Sequence, residues 1–143
     1  MKIDLNYYQT DLVFEAKGSS GVPILLGQTA EGSELKTTRP MELLLMSLAS
    51  CSSVDIVRIL KTQKQSIDDY RVEVNANRQE GRVPALFDTI NLKYVFEGDI
   101  SPLKIERAVN LSLEKYCSVY KILEPTAKIN YELVLNGKII CLN

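Results

Sequence analysis

The residues of this chain whose type suits covalent chemistry are its three cysteines, Cys51, Cys117 and Cys141. They are too few and too widely spaced for a disulfide scaffold, and no CxxC pair suggests a zinc knuckle or a thioredoxin motif. The sequence has no histidine, which removes Ser-His-Asp and Cys-His catalysis and the commonest zinc and iron sites. Any disulfide formed here is expected to be transient rather than structural.

Cys51 lies in a run of unusually small residues, 49–53. Small side chains let another backbone come close, or leave a cavity beside the helix, and either outcome favours a site at Cys51. The alternative is that Cys51 and Cys117 are only small buried residues, since free cysteine is among the most buried residue types. Cys141 is interpreted as structural or incidental.

A long helix is predicted to position Cys51. Pro40 suits a first helical position, Glu42 places a negative charge in the first turn, and no Gly or Pro interrupts residues 43–60. We expect this helix to span residues 40–63 and to be enclosed by other elements, because its first half is apolar on almost every side. The helix dipole lowers the pKa of a thiol only within the first turn, and Cys51 lies beyond that turn. A nearby cation is therefore required to activate the Cys51 thiol.

The rest of the sequence predicts an α+β fold. Period-two alternation and turn residues predict an N-terminal β-meander, a central β-hairpin and a C-terminal β-hairpin around Asn136-Gly137, with strands at 3–8, 11–16, 22–26, 70–78, 89–96, 127–135 and 139–142. A second, bent helical segment is predicted from Pro102 to Leu123, with Ser101 as its cap. This order differs from the regular alternation of a doubly wound parallel sheet.

Composition limits the possible partners. With 143 residues and 45% hydrophobic content, the chain is expected to form one domain, 1–143. Its 17 basic and 18 acidic residues form no basic stripe, so nucleic acid is not expected as a partner. No stretch reaches the apolar length of a bilayer span and no signal-peptide pattern begins the chain, which predicts a soluble, cytoplasmic protein without a membrane partner.

Two segments resemble the OsmC/Ohr superfamily of hydroperoxide reductases. The run PMELLL at 40–45, LASCSSVD at 48–55 and Leu60-Lys61 are similar to that family's central helix, and EKYCSV at 114–119 is similar to its second-cysteine segment. The order of elements also matches along nearly the whole chain. The resemblance implies an OsmC/Ohr-like fold and an intertwined homodimer with sites at the subunit interface.

The resemblance also implies a thiol-dependent peroxidase. Cys51 would reduce an organic hydroperoxide, Cys117 would resolve the resulting sulfenic acid, and a small thiol or a dithiol protein would act as reductant, with no metal or bound cofactor. Such a site needs apolar walls that select an organic peroxide. The candidate pocket residues are Met41, Ser47, Leu48 and Tyr116, although a tyrosine at helical spacing is more often a core residue.

The activating residues are the least defined part of this site. In peroxidase members of the family an N-terminal arginine, held by a glutamate near the start of the central helix, provides the cation. Here no arginine precedes Arg39, so Arg39 is the best substitute for that cation. It is equally well interpreted as an exposed loop arginine without a role in the site. Glu42 is the candidate for the glutamate, but it precedes Cys51 by nine residues and so lies about 180° away around an ideal helix. The alternative is that Glu42 is a first-turn carboxylate that interacts with the helix N-terminus.

Asp55 and Arg58 have the spacing of an ion pair and lie close to Cys51 on the helix. An unpaired Asp55 would raise the pKa of the thiol, whereas pairing with Arg58 would reduce that effect.

The alternative function is a non-catalytic OsmC-like protein that binds a hydrophobic small molecule in a pocket at the dimer interface, with the cysteines as pocket lining.

Overall fold

The computed structural model describes residues 1–8 and 12–140, which form two compact units, Met1–Met46 and Ser47–Asn143. The first unit is built on a three-stranded antiparallel sheet in the order β1, β2, β3, with strands Asp4–Tyr7, Leu12–Lys17 and Pro23–Gln28. The predicted meander is confirmed within about one or two residues at each described end. The predictions for Asp11, Cys141 and Leu142 fall outside the described residues.

Helix α1 spans Pro40–Thr62, so the helix predicted at 40–63 is confirmed. It ends in a Schellman motif, in which Lys64 has a positive φ of 56° and the Gln65 and Lys64 backbone N–H groups donate to the carbonyls of Leu60 and Lys61. Its buried residues repeat every four positions and form one stripe, Leu48, Ser52, Ile56 and Leu60.

The expectation that α1 is enclosed on all sides is wrong for the single chain. Met46 and Val54 are each more than half exposed, and 22% of the most apolar part of the helix is buried. One copy of the chain therefore leaves part of the apolar surface of α1 uncovered.

The second unit contains a four-stranded sheet in the order β4, β5, β6, β7, with strands Asp69–Arg78, Phe87–Glu97, Lys128–Leu135 and Lys138–Ile139. The central hairpin of β4 and β5 and the closing hairpin of β6 and β7 are confirmed. Asn136 and Gly137 form the two-residue turn between β6 and β7, and their φ values of 50° and 76° suit such a turn. Strand β6 pairs in parallel with β5, which the sequence analysis did not predict.

Three consecutive helical pieces connect β5 to β6. Helix α2 spans Pro102–Leu111, a π-helical segment spans Ser112–Tyr116, and helix α3 spans Ser118–Leu123. The predicted bent segment is confirmed, but the predicted side-chain cap is wrong, because the Ser101 hydroxyl makes no capping hydrogen bond. Instead the Ser101 carbonyl accepts from Lys104 and Ile105, and Pro102 leaves one fewer N–H group to cap.

The core of the second unit lies between the sheet and the helices. On β5 the alternating residues Ile90, Leu92, Tyr94 and Phe96 are fully or almost fully buried, and Val95 is also buried. Hydrogen bonds from Tyr94 and Tyr70 join the sheet to α1. This packing fixes the position of α1 residues from Ser47 onward. The α+β class is confirmed.

The prediction that no segment reaches the apolar length of a bilayer span is wrong, because α1 has 23 residues and passes that test by length and composition. The serines of α1 interrupt its apolar residues, but the helix is apolar on average over a length that could span a bilayer. Core helices of soluble proteins pass the same test. Ser52 and Ser53 of α1 bond to tyrosines of the sheet, which favours the role of a core helix.

Candidate functional site

Cys51 and Cys117 meet in the second unit. Both are free thiols, and the Cys51 side chain is close enough to the Cys117 thiol to raise its pKa. Cys51 is half-buried, whereas Cys117 has no exposed surface. The fold therefore brings together two cysteines that are far apart in the sequence, and it leaves only Cys51 accessible.

Cys117 lies at a break in the helical connection. Its backbone N–H donates to the Ser112 carbonyl five residues earlier, over 2.7 Å, which closes the π-helical segment. Cys117 itself has extended backbone angles and is the N-cap of α3, where its sulfur accepts a 3.4 Å hydrogen bond from the Tyr120 N–H. At this junction the Cys117 thiol neighbours Cys51.

Cys51 is held by the regular geometry of α1, and the two serines that follow it contact the sheet. The Ser52 hydroxyl accepts a 2.9 Å hydrogen bond from the buried Tyr94 hydroxyl, and the Ser53 hydroxyl accepts one of 2.9 Å from Tyr70. These bonds join α1 to the sheet directly after Cys51. Tyr70 and Tyr94 are contributors to the site that the sequence analysis missed.

The two thiols have different electrostatic surroundings. Burial raises the pKa of the Cys117 thiol to about 11, the hydrogen bond from the Tyr120 N–H opposes this shift, and the neighbouring Cys51 raises the pKa further. Cys117 is therefore a neutral thiol near pH 7. Burial also raises the pKa of Tyr70 to about 12 and that of Tyr94 above its usual range, so both phenols remain hydrogen-bond donors.

A cavity of about 250 Å³ with mostly apolar walls lies one helical turn from the cysteine pair, lined by Asp55, Arg58, Ile59, Thr62, Gln63 and Tyr116. Of the four predicted pocket residues, Tyr116 is among its described lining residues. Asp55 and Arg58 form the ion pair that their spacing predicted, with 3.8 Å between carboxylate and guanidinium. Their pairing reduces the negative charge that Asp55 presents at this level of the helix.

The other pocket candidates have different surroundings. Leu48 is fully buried in the core stripe of α1, and Ser47 and Met41 are half-buried. The Ser50 and Ser52 hydroxyls donate to backbone carbonyls of the preceding turn. Their helical position explains this, since a serine hydroxyl easily reaches a carbonyl three or four residues earlier. Substrate contact by Met41, Ser47 and Leu48 stays a prediction.

Arg39 and Glu42 lie in the first unit, at the start of α1. The Glu42 carboxylate accepts a 3.2 Å hydrogen bond from the Arg39 backbone N–H, the reciprocal contact of a capping box. Arg39 and Glu42 are exposed and also line a polar cavity of the first unit. This contact gives Glu42 a structural role at the helix N-terminus, and the catalytic roles of Arg39 and Glu42 stay predictions.

The sequence analysis also missed Ser112. It is fully buried, and its hydroxyl donates a 3.0 Å hydrogen bond to the Ser52 carbonyl of α1. A signal was present, because Ser112 follows Ile105, Ala108 and Val109 at helical spacing on the buried face of α2. A polar residue on an apolar face indicates a specific buried hydrogen bond.

Comparison with known families decides what kind of protein carries this cysteine pair. The family of OsmC-like proteins matches residues 31–132, which include both cysteines and all of α1. The chain belongs to the OsmC-like family. The resemblance seen in the 40–55 and 114–119 segments is thereby confirmed.

Individual proteins are similar to this chain over most of its length. Protein YhfA of Escherichia coli strain K12 is 39% identical over 127 residues, covering 86% of this chain and 91% of its own. The crystal structure of a hypothetical protein from Aquifex aeolicus VF5 is similar with a TM-score of 0.80 and 35% identity, covering 94% and 96% of the two chains. The fold is that of the OsmC/Ohr superfamily.

A more distant OsmC/Ohr structure is the organic hydroperoxide resistance protein OhrB of Bacillus subtilis. It aligns with a TM-score of 0.62 and 19% identity, covering 92% of this chain and 96% of its own. At this identity the likeness extends to the fold.

Proposed function

We propose that this OsmC-like protein is a thiol-dependent peroxidase that reduces organic hydroperoxides through Cys51 and Cys117. The observation that carries the proposal is that the half-buried Cys51 adjoins the buried Cys117 thiol closely enough to raise its pKa. Peroxide reduction by a cysteine pair requires one accessible thiol and a second thiol within bonding reach of it. The hydroperoxide resistance function named for OhrB supports the same chemistry.

In the first step the Cys51 thiolate attacks the terminal oxygen of a hydroperoxide ROOH. The sulfur–oxygen bond forms as the peroxide bond breaks, Cys51 becomes a sulfenic acid, and the leaving alkoxide takes a proton to become ROH. Cys51 suits this step because it is half-buried rather than fully buried, so that peroxide reaches its sulfur. Cys117 does not, because it has no exposed surface and its thiol is protonated at neutral pH.

In the second step the Cys117 thiol condenses with the Cys51 sulfenic acid. A disulfide forms, and the sulfenic oxygen leaves as water with the Cys117 proton. A small dithiol, or two equivalents of a monothiol, then reduces the disulfide and is itself oxidised to a disulfide. The cycle returns both cysteines to the free thiol form.

The cavity near the cysteine pair supports an organic substrate. Its walls are mostly apolar, and it includes Ile59 and the half-exposed Tyr116 ring. Burial of an alkyl group there would contribute about 0.8 kcal/mol for each buried methylene, a gain that hydrogen peroxide lacks. We therefore infer a preference for organic hydroperoxides over hydrogen peroxide.

A cytoplasmic homodimer is the remaining part of the proposal. Several apolar side chains of the first unit and of α1 are more than half exposed in one copy, namely Ile3, Leu5, Tyr7, Leu12, Met46 and Val54. Exposed apolar surface on this scale is typical of interaction sites. Sedimentation equilibrium is expected to give twice the mass of the chain, and a single-chain mass would contradict a dimer.

The test of peroxidase function compares the wild type with Cys51→Ser. One equivalent of tert-butyl hydroperoxide is expected to remove two hydrogen atoms from the wild type and to yield a peptide pair linked through Cys51 and Cys117, detected by mass spectrometry. With dithiothreitol as reductant, hydroperoxide consumption is expected to fall to the uncatalysed rate in Cys51→Ser, because that variant lacks the attacking sulfur.

The matched control is Cys141→Ser, which removes a cysteine outside the pair and is expected to keep both results. A wild type that consumes hydroperoxide no faster than Cys51→Ser would exclude peroxidase function. A disulfide that links Cys51 to Cys141 instead would contradict the assignment of Cys117.

The apolar cavity also favours a second candidate, a non-catalytic protein that binds a hydrophobic small molecule there. For this function 1-octanol, used as a probe, should raise the melting temperature of the wild type and of Cys51→Ser equally. Stabilisation by 1-octanol without hydroperoxide turnover would favour this candidate, and turnover that depends on Cys51 would favour the peroxidase.

A further inference from the structure

Ser112 links the two cysteine-bearing segments through three groups. Its hydroxyl donates to the Ser52 carbonyl over 3.0 Å, which ties it to the residue that follows Cys51. Its carbonyl accepts from the Cys117 N–H over 2.7 Å. Its own N–H donates to the carbonyls of Ala108 and Val109, which ends α2. Ser112 is therefore bonded at once to α1, to α2 and to Cys117.

Both ends of the bond between Ser112 and α1 are shielded from water. Ser112 and Ser52 are fully buried, and the Ser52 hydroxyl is held in turn by the Tyr94 hydroxyl. A buried hydrogen bond is not exchanged for water when it breaks, so its loss leaves a polar group without a partner. The contact consequently fixes the π-helical segment against α1 more tightly than an exposed hydrogen bond would.

We propose that Ser112 is a positioning residue for the thiol pair: it holds the π-helical segment against α1 and so keeps the Cys117 sulfur against Cys51. The inference rests on the proposed function, because positioning matters when Cys117 must condense with Cys51. A disulfide forms only within a narrow range of Cα separations and side-chain directions. A residue that holds both segments within that range raises the effective concentration of one thiol at the other.

Removal of the Ser112 hydroxyl leaves the π-helical backbone bond in place but releases the segment from α1. In Ser112→Ala the resolving step, from sulfenic acid to disulfide, is expected to slow by roughly five- to tenfold, the effect of one hydrogen bond. The first step uses Cys51 and hydroperoxide and should change by less than about twofold. The variant should therefore accumulate sulfenic acid, trapped as a dimedone adduct.

A redox equilibrium tests the positioning without hydroperoxide. Reduced protein and oxidised dithiothreitol exchange to give the Cys51–Cys117 disulfide and reduced dithiothreitol, and the equilibrium constant reports the effective concentration of the two thiols. Ser112→Ala is expected to lower this constant by roughly five- to tenfold. The matched control, Ser53→Ala, removes the hydroxyl that Tyr70 contacts on α1 and is expected to leave the constant within about twofold.

The redox equilibrium tests positioning by Ser112, and the peroxidase assay tests the proposed function, so the two claims can fail independently. If the wild type forms the disulfide with dithiothreitol but not with hydroperoxide, the proposed function fails while positioning by Ser112 is still measured. An equilibrium constant in Ser112→Ala equal to that of the wild type would overturn the positioning role. If Ser112→Ala does not fold, NMR exchange of the wild-type Ser112 hydroxyl proton decides: slow exchange with water supports the bond to α1, and exchange as fast as that of an exposed serine hydroxyl overturns the positioning role.

Discussion

Cys51 and Cys117 occupy regions that are built on opposite principles. Cys51 lies within an uninterrupted α-helix and is half-buried, whereas Cys117 is fully buried at a junction between a π-helical segment and a short helix. A regular helix fixes a side chain through its repeating geometry, but a junction depends on individual hydrogen bonds. Cys51 is therefore the thiol that peroxide can reach, whereas Cys117 is shielded from solvent but lies next to Cys51.

The largest expected effect comes from removal of the buried thiol. Cys117→Ser leaves Cys51 accessible, so the first hydroperoxide molecule should still be reduced, but no thiol remains beside the sulfenic acid. Because condensation must then use a thiol from solution, steady-state turnover at low dithiothreitol is expected to fall by about a hundredfold. Turnover is measured by hydroperoxide consumption, and the intermediate by its dimedone adduct in mass spectrometry.

Cys51→Ser is the companion variant for this comparison, since it should lose the adduct as well as turnover. Wild-type turnover in Cys117→Ser would show that solution thiols resolve Cys51 directly. In that case the two regions would not divide the chemistry as proposed.

The regular region was largely predictable from the sequence. Pro40, the absence of Gly and Pro from 43–60 and the Asn136-Gly137 pair gave the bounds of α1 and the closing turn, because these signals act between residues close together in the chain. The parallel pairing of β5 with β6 was missed, although a long helical connection is what a parallel pair requires. Strand pairing depends on the sheet as a whole, which local patterns do not record.

The irregular region was less predictable. The resemblance pointed to Cys117, but the π-helical segment and the contact from Ser112 to Ser52 join residues whose proximity exists only after folding. In the same way, Ser101 has the sequence signal of a cap while its hydroxyl makes no capping bond. The sequence thus identified the reactive residue types, and tertiary structure supplies their orientation.

The second expected effect concerns pH and the buried thiol. The pKa of Cys117 is raised from its usual value of 9.0 to about 11, mainly by burial. Below about pH 9 the thiol is neutral in both the folded and the unfolded chain, so its contribution to stability is fully present. Between about pH 9 and 11 only the unfolded chain ionises, and the contribution is lost as the pH rises, by an amount on the order of 2 kcal/mol.

This loss is measured as the difference between wild type and Cys117→Ser, which cancels the contributions of Tyr70 and Tyr94 above pH 10. Urea unfolding under reducing conditions at about pH 8 and about pH 11 gives the two free energies of unfolding. The advantage of the wild type over the variant should shrink by about 2 kcal/mol at the higher pH. An advantage that does not change with pH would mean that the Cys117 thiol is hydrated in the folded protein.

The smallest expected effect tests the region of Cys51. Tyr94→Phe keeps the buried ring but removes the hydroxyl that donates to Ser52 over 2.9 Å, so the free energy of unfolding should fall by about 1 kcal/mol. Tyr70→Phe, whose partner Ser53 is only partly buried, should cost less. Because the backbone of α1 already fixes Cys51, neither variant should move the dithiothreitol equilibrium of the cysteine pair by more than about twofold, in contrast to Ser112→Ala. A shift in Tyr94→Phe as large as that in Ser112→Ala would show that Cys51, like Cys117, depends on single hydrogen bonds for its position.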